Sequence, residues 1–303
     1  MTKQIQGVIP VAHTPFTKDD KIDWKSLERQ VNWAFERGAD GYCTGMVSEL
    51  LRLTSDERIE LTQRLAQMNQ GRGVFVASVG AESTNQAVTF ACSAEQAGCD
   101  GVMAIPPLSS AFPDGELVDY FSTIATAINL PIIVQDASGY VGQAIPPTVY
   151  LTLLDRFGPD RILFKPEASP VGPKISALRD ATDGAARIFE GSGGNLLIDS
   201  YRRGIVGTIP GMEFLDGVIE IWRALKTADE ETAYRVYFPL CALVTLQLQA
   251  GLDGFLAIEK YVLHKRGLFA TPLRRRPNAW HLDAETRLEV DRLLERLAES
   301  IEA

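Results

Sequence analysis

The sequence has few of the residues that bind metal ions or form covalent cross-links. Only four cysteines and three histidines occur among its 303 residues. Their positions show neither the paired spacing of a zinc site nor the pattern of a disulfide framework. We therefore predict a protein without a metal ion, and we expect no cofactor. His13 is interpreted as a packing residue rather than a ligand.

An excess of positive charge is absent as well. Asp and Glu number 39 against 30 Lys and Arg, which gives a formal net charge of -9. Sequence-independent nucleic-acid binding needs a basic surface, so we expect no nucleic-acid partner. The one basic run, residues 274–276, is short. We interpret it as a solvated loop or an intersubunit ion-pair patch rather than an anion site.

Long apolar segments are also missing. No apolar run approaches the roughly 18 residues that a membrane-spanning helix needs. Residues 1–7 are polar and are followed at once by a strand-like segment, which is unlike a signal peptide. The sequence thus predicts a cytoplasmic protein with no membrane partner.

What the sequence does contain is a repeated alternation of short apolar runs with longer stretches of helical periodicity. The apolar runs are residues 7–12, 41–44, 74–79, 102–105, 132–134, 162–164, 187–189 and 205–209. An open doubly wound sheet would usually have fewer strands and a glycine-rich first turn. The alternation therefore predicts an α/β protein of the (β/α)8 TIM barrel class.

Capping signals support the helices of this alternation. Asp23 precedes an apolar helical face and Gly38 follows it, as expected of a helix start and a left-handed stop. Thr54 and Glu57 have the spacing of a capping box.

The strand pattern ends before the chain does. Later helical patterns cover residues 229–249, 252–266 and 283–301. We therefore predict a barrel over residues 1–224 and a C-terminal helical extension over residues 225–303.

In a (β/α)8 barrel the reactive side chains lie at the carboxyl ends of the strands. Polar residues that directly follow the apolar runs are therefore candidates for the site. They are Thr14, Ser48, Glu49, Ser78, Gln135, Asp136, Lys165, Glu167, residues 190–195 and Thr208.

Lys165 ends the sixth apolar run, where a strand would deliver its amine to the mouth of the barrel. Pro166 favours an extended backbone at that point. An amine that loses water there is favoured in its neutral form, which can attack a carbonyl carbon and form a Schiff base. The alternative is a lysine that only forms an ion pair with Glu167 or Glu190. Position alone leaves both interpretations open.

Three further candidates surround this lysine in the predicted barrel. Glu167 would share the strand face of Lys165, where it could move a proton or serve only as a charge partner. Gln135 could hydrogen-bond a substrate hydroxyl or water, or simply satisfy backbone groups. The glycine-rich residues 190–195 open a helix, where they could bind an anion or only permit a tight turn.

Short motifs spread over nearly the whole chain carry a family resemblance. They are residues 7–10, 14–16, 38–41, 48–49, 53–54, 57–58, 131–133, Phe164-Lys165-Pro166-Glu167 and Glu190-Gly191. Together they resemble the dihydrodipicolinate synthase and N-acetylneuraminate lyase superfamily of Schiff-base lyases. The resemblance implies a (β/α)8 barrel with a helical C-terminal part, a homotetramer, and Lys165 as the lysine that forms the Schiff base with a 2-oxo acid.

The chain departs from that family at three places. Residues 45–49 read Gly-Met-Val-Ser-Glu where the family has Gly-Thr-Thr-Gly-Glu, so two carboxylate-binding hydroxyls are missing. Gln135 stands near the position of the family's proton-shuttling tyrosine. Residues 106–108 lack the tyrosine that synthases lend to a neighbouring subunit. These departures argue against a dihydrodipicolinate synthase.

One branch shares the departures, the 2-keto-3-deoxy-L-arabonate dehydratase group. Its motifs are similar to residues 47–49, 134–137 and 164–167 of this chain. This resemblance implies that a lysine iminium acidifies the C3 proton of a 2-keto-3-deoxy sugar acid and that a hydroxyl leaves as water. Lys165, Glu167 and Gln135 are then the predicted catalytic residues. The predicted substrate-binding residues are Thr14, Val47, Ser48, Gly191, Ser192, Asn195 and Thr208.

Three other functions remain open at this stage. A retro-aldolase of the same family would release pyruvate. A phosphate-binding barrel isomerase would use residues 191–195 and Thr208 as a phosphate cup. A non-catalytic 2-oxo acid sensor would bind pyruvate without turnover.

Overall fold

The computed structural model describes residues 3–303 and contains a strand at each of the eight predicted places. The strands are β1 (Gly7–Val8), β2 (Gly41–Cys43), β3 (Val74–Ser78), β4 (Gly101–Ala104), β5 (Ile132–Asp136), β6 (Ile162–Pro166), β7 (Arg187–Glu190) and β8 (Gly207–Thr208). They form one sheet in the order β1-β8-β7-β6-β5-β4-β3-β2. This sequential order, with helices between the strands, confirms the (β/α)8 barrel class with C-terminal helices.

Two strands, β1 and β8, are much shorter than the apolar runs predict. β1 and β8 have two residues each, because Pro10 and Pro210 follow them and a proline has no backbone N–H for the ladder. Beyond the prolines, Val11 forms isolated bridges with Gly211 and with Cys43. An apolar run can therefore continue where the hydrogen-bonded ladder has stopped.

The helices begin and end near the predicted signals. They are α1 (Trp24–Arg37), α2 (Ser55–Asn69), α3 (Thr84–Gln96), α4 (Asp114–Ala127), α5 (Pro147–Phe157), α6 (Val171–Ala181), α7 (Leu197–Arg202), α8 (Leu215–Lys226), α9 (Glu230–Leu248), α10 (Gly251–Lys265) and α11 (Ala284–Glu302). Asp23 accepts a hydrogen bond from the Ser26 amide, and Gly38 is left-handed at φ 99°. Thr54 and Glu57 form the predicted capping box. In the described part of the chain, no helix is long and apolar enough to cross a membrane.

The chain forms two compact units. The first contains the described residues up to Gly7 together with Thr54–Gly191 and Asp199–Thr208. It includes strands β3 to β8 and helices α2 to α6, and its core contains Phe75, Phe121 and Phe164, each fully buried.

The second unit contains Val8–Leu53, Ser192–Ile198 and Ile209–Ala303. It includes α1 and the helices α8 to α11, and Tyr42 and Phe214 lie in its core. The predicted division at residue 224 stays a prediction.

Candidate active site

Strands β5 and β6 bring two predicted residues side by side in the first unit. Gln135 pairs in register with Lys165. Both residues belong to their strands, which extend two residues beyond the apolar runs. Both are also buried, at 3% exposure each. Burial of an amine or an amide is costly, so a protein core rarely contains such groups unless they have a specific role.

Glu167 faces Lys165. The Glu167 amide donates to the Asp136 carbonyl at 3.0 Å, so strand-like pairing continues past Pro166. This keeps the carboxylate on the same side as the amine, with 3.2 Å between Lys165 Nζ and Glu167 Oε1. Gln135 Nε2 donates to Glu167 Oε2 at 2.6 Å. The carboxylate is therefore held through both oxygens.

Burial sets the proton affinity of Glu167. Loss of solvent raises the pKa of its carboxyl, and the charge of Glu190 acts in the same direction. Lys165 and the Gln135 hydrogen bond lower that pKa, but burial outweighs them. A carboxyl with a raised pKa, in contact with an amine, has the properties of a general acid and base.

Gly191 leaves the space that this pair occupies. A Cβ atom there would lie 2.3 Å from Lys165 Cε and 2.4 Å from Glu167 Oε1. The sequence alone suggests anion binding or a tight turn at this glycine. In the structure the absence of a side chain also has a packing reason, close approach to the Lys165 and Glu167 side chains.

Thr208 and Glu190 form a second buried pair in the first unit. Thr208 Oγ1 donates to Glu190 Oε2 at 2.6 Å, and both residues are at most 1% exposed. The threonine hydroxyl, predicted to bind substrate, thus directs its proton at a carboxylate. Glu190 also acts electrostatically on Glu167, so two acids accompany the single lysine.

Thr14, Val47 and Ser48 lie together in the second unit. Thr14 Oγ1 donates to the Ser48 carbonyl at 2.6 Å. The Ser48 hydroxyl donates to the Ala12 carbonyl and accepts from the Gly45 amide at 3.0 Å. These hydroxyls therefore fix the turn itself. The predicted carboxylate binding by this segment stays a prediction.

Ser192 and Asn195 also belong to the second unit. Ser192 Oγ accepts from the Leu196 amide at 2.9 Å. The Asn195 carbonyl accepts from the Tyr237 hydroxyl, whereas its buried side-chain oxygen Oδ1 has no hydrogen-bond donor among the described residues. The predicted roles of Ser192 and Asn195 in substrate binding stay predictions.

Three other polar candidates have structural partners. The Asp136 carboxylate accepts from the amides of Ser138 and Ile145, both at 3.0 Å, and so shapes the loop after β5. Glu49 pairs with Lys260 at 2.8 Å in the second unit. The Ser78 carbonyl accepts from Arg58 at 3.2 Å.

Tyr150 is a neighbour that sequence reasoning missed. It lies on α5 at 5% exposure and packs edge-on against Phe164 at 5.2 Å between ring centroids. Burial raises the pKa of its phenol well above the usual value, and the charges of Asp136 and Glu167 raise it further. A tyrosine inside an apolar helical face gives no sequence signal of this proximity.

The chain is a (β/α)8 barrel that groups buried acids, an amine and an amide at the ends of its strands, where enzymes of this fold carry their active sites. The chain belongs to the dihydrodipicolinate synthetase family, which matches residues 4–297. It is thus a member of a family of lyases and synthases.

Individual relatives carry two activities. An L-2-keto-3-deoxyarabonate dehydratase from Azospirillum brasilense is 28% identical over 98% of this chain and 96% of the relative. A 4-hydroxy-tetrahydrodipicolinate synthase from Methanosarcina mazei is 29% identical over 79% and 81%. The crystal structure of dihydrodipicolinate synthase from Rhodopseudomonas palustris superposes with a TM-score of 0.85 at 28% identity, covering 96% of this chain and 97% of that one. Identity is nearly equal to both activities, so the site residues must distinguish between them.

Proposed function

We propose that this protein is a Schiff-base lyase that dehydrates a 2-keto-3-deoxy sugar acid or a related 2-oxo acid. The observation that carries the proposal is the buried contact of 3.2 Å between Lys165 Nζ and Glu167 Oε1. The full-length similarity to a 2-keto-3-deoxyarabonate dehydratase supports the choice of substrate class.

In the first step the neutral Lys165 amine attacks the C2 carbonyl of the substrate. One proton of the amine and the proton of the Glu167 carboxyl pass to the carbonyl oxygen, which leaves as water, and the resulting iminium keeps the other N–H proton. Glu167 is in contact with this nitrogen, so it can accept the proton that the amine gives up. Its raised pKa allows it to hold that proton in a buried site.

In the second step the iminium draws electrons from C3, which acidifies the C3 proton. Glu167 removes this proton and an enamine forms. The enamine then expels the hydroxyl on the next carbon, which leaves as water after accepting a proton from Glu167. Hydrolysis of the remaining imine frees Lys165, and all substrate carbons stay in one molecule.

Gln135 has a holding role in this scheme. Its Nε2 donates a hydrogen bond to Glu167, whereas its buried Oε1 has no hydrogen-bond donor among the described residues. A substrate hydroxyl or a water molecule would supply that missing donor, because buried polar atoms are nearly always satisfied. The amide orients the leaving group but carries no proton.

The rival functions fit these contacts less well. A retro-aldolase needs a base for the substrate hydroxyl next to the bond that breaks, and the β5 residue in register with Lys165 is the amide Gln135. A phosphate-binding isomerase would need Thr208 to donate to phosphate, yet Thr208 donates to the buried Glu190. A carboxylate in that position repels a phosphate.

Borohydride trapping tests the proposal. The protein is incubated with pyruvate and sodium borohydride, and its intact mass is compared with that of Lys165→Ala. Lys174→Ala is the matched control, because it removes a half-buried lysine of helix α6. We expect a reduced adduct in the wild type and the control only. Failure of pyruvate and longer 2-oxo acids to give an adduct would refute Schiff-base chemistry.

Product analysis then separates the reactions of the family. An intact-carbon semialdehyde from a 2-keto-3-deoxy sugar acid indicates dehydration, whereas pyruvate and an aldehyde indicate cleavage. An adduct without turnover of any sugar acid would identify a sensor.

The family resemblance also leads us to propose a cytoplasmic homotetramer. Light scattering of the purified protein checks the oligomer. A mass of one or two chains would refute this part of the proposal.

A further inference from the structure

Three buried side chains, far apart in the sequence, meet in the second unit. His13 follows β1, Glu213 follows β8, and Glu259 lies on α10. They are 0%, 2% and 1% exposed, respectively. One nitrogen of the histidine and one oxygen of each glutamate lie within 4.8 Å of one another. None of these residues has a role in the proposed reaction.

The contacts in this cluster are not ordinary hydrogen bonds. His13 Nε2 is 3.5 Å from Glu213 Oε2, and His13 Nδ1 is 3.4 Å from Glu259 Oε2. The hydrogen bonds of the ring go to the backbone instead, from Nδ1 to the Val47 carbonyl and from the Met212 amide to Nε2, both at 3.2 Å. Nε2 therefore carries a lone pair, which accepts from the Met212 amide, and the same atom lies 3.5 Å from a carboxylate oxygen.

Both glutamates lack a donor at the oxygen that faces the ring. Glu213 Oε2 and Glu259 Oε2 are buried and have no hydrogen-bond partner among the described residues. The other Glu213 oxygen accepts from the neutral amide of Gln247 at 2.9 Å. The two carboxylate oxygens near the imidazole thus have electron pairs that neither a hydrogen-bond donor nor a cation of the described residues accepts.

The nearest buried cation is already paired. Lys260 is 2.8 Å from Glu49, and its amine also donates to the Thr14 carbonyl. Within residues 3–303, His13 is the only basic side chain at ion-pair distance from Glu213 or Glu259. Unpaired buried carboxylates are costly. With both carboxyls ionised, the cluster would have an excess of negative charge, which a divalent cation would balance.

We propose that His13, Glu213 and Glu259 form a binding site for a divalent transition-metal ion of the zinc type. Zinc binds imidazole nitrogen and carboxylate oxygen at roughly 2.0–2.2 Å in a tetrahedron, whose ligands are then about 3.4 Å apart. The separation of 3.5 Å between the ligand nitrogen Nε2 and Glu213 Oε2 matches that edge, and the ligand atoms of all three residues lie within 4.8 Å of one another. The bond from Nδ1 to the Val47 carbonyl is of the kind that fixes a metal-bound imidazole.

The site has three protein ligands, so a fourth position is left for water. Nε2 is the ligand nitrogen, and the ion replaces the Met212 amide as its partner. The competing occupant is a proton on Glu259, because burial and the charge of Glu213 raise the pKa of that carboxyl well above its usual value. A metal ion and a proton predict different responses to the same substitutions.

Metal uptake by the full chain tests the site. The purified protein is treated with a chelator, dialysed against Zn²⁺ or Mn²⁺, and its metal content is measured per chain. We expect one ion per wild-type chain and a loss of affinity on the order of 100-fold in Glu213→Gln and Glu259→Gln. Glu289→Gln on the exposed face of α11 is the matched control and should keep full uptake.

Two further measurements distinguish this site from metal binding by cysteine and from nonspecific uptake. Cys92 and Cys241 are only half-buried, so the Co²⁺ complex is examined for the charge-transfer band of a thiolate, which should be absent. Thermal unfolding is followed with and without Zn²⁺, and the ion should stabilise the wild type but neither glutamine variant.

Three results would overturn the proposal. One is the absence of stoichiometric metal uptake by the wild type. If Glu259→Gln is then as stable as the wild type or more stable, the occupant of the cluster is a proton. Another is equal uptake by all variants, which would place the ion elsewhere. The third is a thiolate band in the Co²⁺ spectrum.

Discussion

Replacing Gly191 by alanine should disable the candidate site while leaving the fold intact. The new methyl carbon would lie 2.3 Å from Lys165 Cε, 2.4 Å from Glu167 Oε1 and 2.7 Å from Glu167 Cδ. Non-bonded carbon atoms normally approach to about 3.5–4.0 Å. The two side chains must therefore move by roughly 1 Å or more, and their contact of 3.2 Å cannot survive unchanged.

The expected loss follows from this displacement. A misplacement of about 1 Å in a reacting group costs on the order of 100-fold in rate. Overpacking of a buried site costs about 1–3 kcal/mol of unfolding free energy, which a protein of this size tolerates. We therefore expect Gly191→Ala to form the reduced pyruvate adduct, and to turn over substrate, about 100-fold more slowly than the wild type.

The assay is the time course of borohydride trapping, with thermal unfolding measured on the same samples. Gly115→Ala is the matched control, because a methyl group at this position on α4 meets no atom within 4 Å. A Gly191→Ala protein that forms the adduct at the wild-type rate would refute the assigned packing around Lys165.

Three other substitutions test the electrostatics of the buried groups. Glu167→Gln should form the adduct more slowly, because Glu167 handles the proton of the amine, and should lose about 100- to 10,000-fold in turnover. Since burial raises the pKa of Glu167 above its usual 4.5, wild-type stability should fall relative to this variant as pH rises through that raised value. Parallel pH curves in urea denaturation would contradict this. Gln135→Leu removes a hydrogen-bond donor that lowers the pKa of Glu167, so the alkaline limb of the plot of kcat against pH should move to higher pH. An alkaline limb at the wild-type pH would contradict the hydrogen bond between Gln135 and Glu167. Lys260→Met leaves Glu49 without its partner at 2.8 Å and should lower the unfolding free energy by about 3–5 kcal/mol. The double variant Lys260→Met/Glu49→Gln should recover part of this stability. A loss below about 1 kcal/mol in Lys260→Met would show that the pair is not buried in solution.

The strand pattern predicted the fold because apolar runs and helix caps are local signals. Asp23, Gly38 and Thr54 cap helices as predicted. The ends of strands were less predictable, since the ladder stops at Val8 and Thr208, ahead of Pro10 and Pro210, although the apolar runs continue to residues 12 and 209. The ends of a strand are set by hydrogen-bond geometry, which depends on the partner strand. The hydrophobicity pattern of the sequence does not reveal that geometry.

The contact between Lys165 and Glu167 was predictable, because one strand and its continuation supply both residues. Lys165 and Glu167 are two residues apart, and strand alternation places both side chains on one face. The contributions of Gly191 and Tyr150 depend on packing between separate elements. His13, Glu213 and Glu259 were not predicted as a group, because 200 and 46 residues separate them along the chain and none has a metal-binding spacing.

The replacement of a family tyrosine by Gln135 has a chemical consequence beyond a missing hydroxyl. An amide cannot carry a proton, but its Nε2 holds Glu167 at 2.6 Å while its Oε1 remains available to substrate. The pKa of Glu167 then reflects burial against two stabilising partners, Lys165 and Gln135. One carboxyl can thus take the C3 proton and return it to the hydroxyl that leaves from the adjacent carbon. Elimination of water needs only this one proton carrier, the Glu167 carboxyl. Carbon–carbon cleavage needs in addition a base at the substrate hydroxyl, and an amide cannot act as one. We therefore infer that the exchange of tyrosine for Gln135 favours dehydration.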